Sequence, residues 1–99
     1  MQISEVEITP VKPSRGLVGF ASFVIDGWLY LGSIGIITRL NGGYRLTYPT
    51  KKIGSNSINL FHPIGKSEGE LIEEEIVNKY EEVMKKSNDR YSRANDQLS

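Results

Sequence analysis

Asp26-Gly27 stands between two apolar runs, 17–25 and 28–37, and no other feature of the chain restricts its fold as much. The dipeptide suits a type I′ turn, whose two central residues both need positive φ. The flanking runs therefore return on one another as an antiparallel hairpin. The first arm is apolar on both faces, with Leu17, Ala21, Phe23 and Ile25 on one side and Val18, Phe20 and Val24 on the other. A strand covered on both faces belongs in the middle of a sheet, or in the core of a dimer. Gly32 and Gly35 interrupt the second arm, where glycine favours a bulge or a close backbone approach over a ligand contact.

Strands are expected on either side of this hairpin. Ile3 to Ile8 alternates Val6 and Ile8 with Glu5 and Glu7, and Pro10 and Pro13 are expected to end it. Asn41-Gly42-Gly43 makes the next turn. Tyr44, Leu46 and Tyr48 then alternate with Arg45 and Thr47 until Pro49, which cannot donate to a ladder. Lys51 and Lys52 follow on a predicted loop at the rim of the sheet, and a second short segment leads to His62-Pro63.

The period changes in the last third. Ser67-Glu68-Gly69-Glu70 matches a capping box. Ile72, Ile76, Tyr80, Val83 and Met84 then form one apolar stripe, flanked by Leu71 and Val77. Glu75–Lys79, Glu81–Lys85 and Glu82–Lys86 place acid before base at i,i+4, the favourable sense. An amphipathic helix is predicted from about residue 67 to 86, and a frayed or disordered polar tail over 87–99. The fold class is α+β: about five short strands in an antiparallel sheet with one long C-terminal amphipathic helix. With 99 residues the chain makes one domain, residues 1–86.

Several chemistries lack their residues. There is no cysteine, so disulfides, thiolate catalysis and cysteine-bound zinc are excluded. His62 is the lone histidine, without the partners of a triad or a metal site, and is read as a framework residue bonding a backbone group. Glu70, Glu73, Glu74 and Glu75 lack the loop carbonyl and amide ligands of a calcium site and read as a solvated face. Neither Gly-rich nucleotide fingerprint occurs, and Gly65-Lys66-Ser67 is only a fragment of one. No enzyme, cofactor, metal or small-molecule substrate is expected. The opening Met-Gln-Ile-Ser-Glu has no basic region and no long apolar run follows, so no signal peptide, no membrane partner and a cytoplasmic location are expected.

The basic residues are the remaining lead. Formal net charge is +0, but residues 1–66 hold seven Lys or Arg against three acids (net +4), and residues 67–99 hold five against nine (net −4). Arg39, Lys51, Lys52 and Lys66 are expected along one rim. Lys86, Arg90 and Arg93 share a face if the helix continues, with Tyr91 available for stacking. Phosphate contacts of this kind give affinity with little sequence specificity.

These segments resemble the SpoVG family, the septation and sporulation regulators of bacteria, from about Ile3 to Val83. The likeness rests on the hairpin with Asp26, the Asn-Gly-Gly turn, Tyr48-Pro49-Thr50-Lys51-Lys52, and Phe61-His62-Pro63-Ile64 before the last helix. The resemblance implies a dimer made through strands and helix, and site-selective binding of DNA, and of RNA, in control of gene expression. It implies Lys51 and Lys52 as phosphate contacts and Pro49, His62 and Pro63 as framework. Members usually carry basic residues where this helix begins Ser-Glu-Gly-Glu, which leaves the basic loop and the helix end for phosphate. The expected function is a regulatory nucleic-acid-binding homodimer. The alternative is a protein–protein adaptor of the same fold, using sheet edges and Trp28, Leu29, Tyr30 and Leu31.

Overall fold

A computed structural model describes the backbone of residues 1–98 and the side chains through Lys86. The expected hairpin is present as β2 (Leu17–Ile25) and β3 (Leu29–Thr38). Asp26 and Gly27 have φ of 53° and 77°, and the Trp28 amide bonds the Ile25 carbonyl at 3.2 Å, as a type I′ turn requires. Asp26 does more than turn the chain. Its Oδ1 accepts from the Gln2 amide and its own amide donates to the Gln2 carbonyl, both at 2.8 Å, which pins the start of β1.

β1 (Ile3–Ser14) and β4 (Tyr44–Thr47) complete a four-stranded antiparallel sheet in the order β1-β2-β3-β4. β1 runs on through Pro10 and Pro13 and does not stop at Ile8 as expected. It is an edge strand, so a proline on its free side costs no ladder bond, and the pairing with β2 is irregular between Pro10 and Ser14. Two bulges correct the phase of the side chains. Glu5 (φ 50°) lets both Ile3 and Val6 pack on the core, although an odd spacing in a regular strand would separate them. Ser33 (φ 60°), beside Gly32, does the same for Leu31 and Ile34. Gly35 has the other role of a strand glycine: a Cβ there would fall 2.5 Å from Thr47 Cγ2 on β4.

After Pro49 the chain forms a separate two-stranded hairpin, β5 (Thr50–Ile53) and β6 (Asn56–Asn59). The helix α1 then spans Lys66–Leu98. Its start lies slightly before the expected capping box. Gly65 is the cap, its carbonyl accepting from the Gly69 amide at 3.0 Å, and Ser67 lies inside the first turn with its hydroxyl donating to Glu68 at 3.1 Å. The Glu68 carboxylate folds back over Gly65.

α1 crosses one face of the sheet, approaching β1 and β4. Ile72, Ile76 and Tyr80 are buried against Val18, Ala21 and Phe23 of β2 and Ile34 and Ile36 of β3. Phe23, Ile34, Ile36 and Ile76 are sealed from solvent, and Tyr44 meets Tyr80 edge-on at 5.0 Å. On the opposite face of the sheet Phe20 is exposed beside Tyr30, uncovered among the described residues. The backbone of α1 continues to Leu98, past the expected helix end near residue 86; the side chains beyond Lys86, and Ser99, lie outside the described residues, and with them the expected fraying of the tail over 87–99. Among the described residues, no helix is long and apolar enough to cross a membrane.

Candidate nucleic-acid interface

No Asp or Glu stands between Asp26 and Glu68, while Arg39, Arg45, Lys51, Lys52 and Lys66 all do. The fold distributes these five bases over two neighbouring features, an arm and a groove.

The arm is the β5–β6 hairpin. Gly54 (φ 60°) takes the first central position of the Gly54-Ser55 turn, where a type II′ turn calls for glycine. The Leu60 amide closes the base on the Pro49 carbonyl at 2.8 Å, and Tyr48 and Phe61 stack edge-on at 6.0 Å beneath it. All eight strand residues are exposed. Lys51 and Lys52 therefore lie on a strand, not on the loop the sequence suggested. Successive strand residues point to opposite faces, so the two ammonium groups do not act as an adjacent pair. Lys51, opposite Ile58, shares its face with Ile53 and Asn56, whereas Lys52, opposite Ser57, shares the other with Thr50 and Asn59.

The groove lies between β4 and the start of α1, with a volume of about 440 Å³. Arg39, Arg45 and Lys66 line it together with Glu70 and Glu73, and Tyr48 joins it to the base of the arm. Arg39 is already engaged. Its Nη2 meets Glu73 Oε1 at 3.1 Å and its Nε donates to the Tyr44 carbonyl at 3.0 Å. Arg45 and Lys66 form no ion pair among the described residues. The Tyr48 hydroxyl is buried without a partner among those residues. Burial first, and then the nearby Glu73 carboxylate, pushes its pKa up to about 12.

Of the expected contacts, Arg39 and Lys66 line one groove, Lys51 and Lys52 stand on the separate arm, and Lys86 is remote. Twenty helical residues separate Lys66 from Lys86, roughly 30 Å of axis. Lys86 Nζ bonds Glu82 at 3.1 Å, and Lys79 turns to the same carboxylate at 3.7 Å, which holds the Glu82 pKa below the ordinary range. The Arg90 side chain lies outside those described. Arg45 was missed by sequence reasoning as a groove residue; the acid-free run around it was the available signal. His62 is exposed, its Nδ1 3.2 Å from the Pro63 carbonyl. Among the described residues, no group of three His, Cys, Asp or Glu side chains is placed to hold a metal ion.

The SpoVG family model matches residues 1–82. The chain belongs to the SpoVG family. A relative from Finegoldia magna assigned the name septation protein SpoVG is 31% identical over 87 residues, covering 87% of this chain and 80% of its own. A second, from Phytoplasma australiense and of the same name, is 27% identical over 85 residues, covering 85% of this chain and 88% of its own. The SpoVG match includes the arm, the groove and the first turns of α1, and stops before Lys86.

Proposed function

We propose that this SpoVG-family chain is a regulatory nucleic-acid-binding homodimer, acting on DNA and RNA in the control of septation or gene expression. The observation that carries this reading is the acid-free run from Gly27 to Ser67, with its bases on an exposed arm and on the groove at the arm's foot. Lys52 and Lys66 are the phosphate contacts, with Arg45 between arm and helix. Arg39 contributes only where a phosphate outcompetes Glu73, an exposed pairing worth at most about 1 kcal/mol. The Glu-rich opening of α1 keeps phosphate off the helix flank by like-charge repulsion.

The test is fluorescence anisotropy with mixed duplex DNA and with single-stranded RNA across a salt series. Affinity is expected to fall steeply with salt. Because the two arm lysines face opposite ways, Lys51→Ala/Lys52→Ala is expected to reduce the slope of log K against log salt by about one per protomer. An unchanged slope removes the arm from the interface. A second reading, the protein–protein adaptor, is favoured by Trp28 and Tyr30, which are 78% and 68% exposed at the tip of the β2–β3 hairpin. Absence of nucleic-acid binding at low salt moves that reading into first place.

A further inference from the structure

The arm is an unusual object to leave in solvent. A lone two-stranded hairpin is marginal in water, yet β5–β6 has no exposed-side cover and shares no ladder with the main sheet. One of its faces holds the arm's apolar side chains, Ile53 and Ile58, 54% and 48% exposed, beside Lys51 and Asn56, with Leu60 at the foot. The only charge on that face is Lys51. Next to the base of the arm lies a second groove, of about 490 Å³, which adjoins the basic one across Tyr48, Pro63, Ile64 and Gly65. Leu29, Leu31, Phe61, Ile64 and Ile72 line it, and Glu68 is its only carboxylate. Ile64 on its rim is 95% exposed.

Arm and groove thus complement one another: Ile53 and Ile58 suit the apolar lining and Lys51 suits Glu68, with Asn56 on the arm and His62 in the groove as further polar side chains. In the same chain they do not meet, since the arm stands exposed. We propose that the arm of one copy docks its Ile53–Ile58 face into the Leu29–Ile64 groove of a second copy, with Lys51 against Glu68 of the partner subunit, and that the contact is reciprocated. This rests on the homodimer of the proposed function and names its surface. Reciprocity makes the interface isologous and closed. It also uses a small contact twice, which a specific interface of roughly 1,000 Å² or more requires. Docking on this face leaves Lys52, on the other, free to meet phosphate.

Sedimentation velocity without nucleic acid tests the proposal. The chain is expected to dimerise at micromolar concentration. Ile53→Ser/Ile58→Ser, at exposed positions that leave the fold intact by circular dichroism, is expected to raise the dimer dissociation constant about a hundredfold. Lys51→Glu is expected to raise it about tenfold, adding Glu68→Lys to restore most of the loss, and Lys52→Glu to leave it unchanged. Since the chain has no cysteine, Leu29→Cys/Ile58→Cys gives an independent reading: mild oxidation is expected to yield a covalent dimer. A dimer indifferent to the isoleucine pair overturns the arm exchange and leaves the homodimer standing. An intrachain disulfide in a monomer overturns it by showing the arm folded into its own groove, and a monomeric wild-type chain overturns both.

Discussion

Tyr48 shows how one residue binds the parts of the site together and what that costs. Its ring packs on Phe61 at the foot of the arm and its hydroxyl is buried near Glu73 without a partner among the described residues. The neutral phenol is favoured in the folded state, with a pKa raised from 10.0 to about 12. The stability this represents is present below pH 10 and lost as pH rises from about 10 towards 12. Tyr80 is shifted in the same direction, chiefly by burial, so Tyr48→Phe should remove only part of the alkaline destabilisation. Denaturant midpoints measured between pH 7 and 12 check this. At pH 7 the same variant should be as stable as wild type, since the lost hydroxyl had no bond to lose. A midpoint well below wild type at pH 7 would show that the hydroxyl is bonded after all. The alternation of Tyr44, Leu46 and Tyr48 announced which side of β4 faces inward. It carried no sign of the orphaned hydroxyl, because a side-chain partner is a property of the assembled fold.

At the scale of elements, the chain contrasts a helix that is locked down with an arm that is not. Ile76 is sealed between α1 and the sheet, whereas Ile58 on the arm is half exposed. Ile76→Ala should therefore cost about 2–5 kcal/mol, and Ile58→Ala about 0.5 kcal/mol or less at concentrations where the chain is monomeric. Urea unfolding of the two variants measures the difference, and comparable losses would mean that the arm belongs to the core. The same contrast explains what the sequence made legible. Asp26-Gly27 and the stripe Ile72, Ile76, Tyr80 are short-range patterns with one good structural solution each, and both appear as expected. β5 and β6 were missed because their alternation is polar on one face and weakly apolar on the other; only Gly54-Ser55 hinted at a hairpin. The bulges at Glu5 and Ser33 were hidden for another reason. Each is a response to packing on the far side of the sheet, where Ile3 with Val6, and Leu31 with Ile34, need to face the same core.

The whole molecule divides its charge along the chain, and the fold brings the two parts together at the groove, where Arg39, Arg45 and Lys66 face Glu70 and Glu73, while the arm carries lysine alone. Arg39–Glu73 joins the two sides. In the proposed function and its arm exchange, Lys51 and Lys52 have separate tasks, and the strand puts them on opposite faces. β1 adds one more consequence. An open edge of a sheet can recruit strand after strand without limit, and Pro10 and Pro13 sit on that edge. A proline offers no amide to an incoming chain, so end-to-end growth has nothing to bond there. Pro10→Thr/Pro13→Thr should leave the fold near wild type and yet seed thioflavin-positive fibres during prolonged incubation, which wild-type protein should resist. On that outcome the two prolines are gatekeepers against polymerisation, leaving to self-association only contacts that close on themselves.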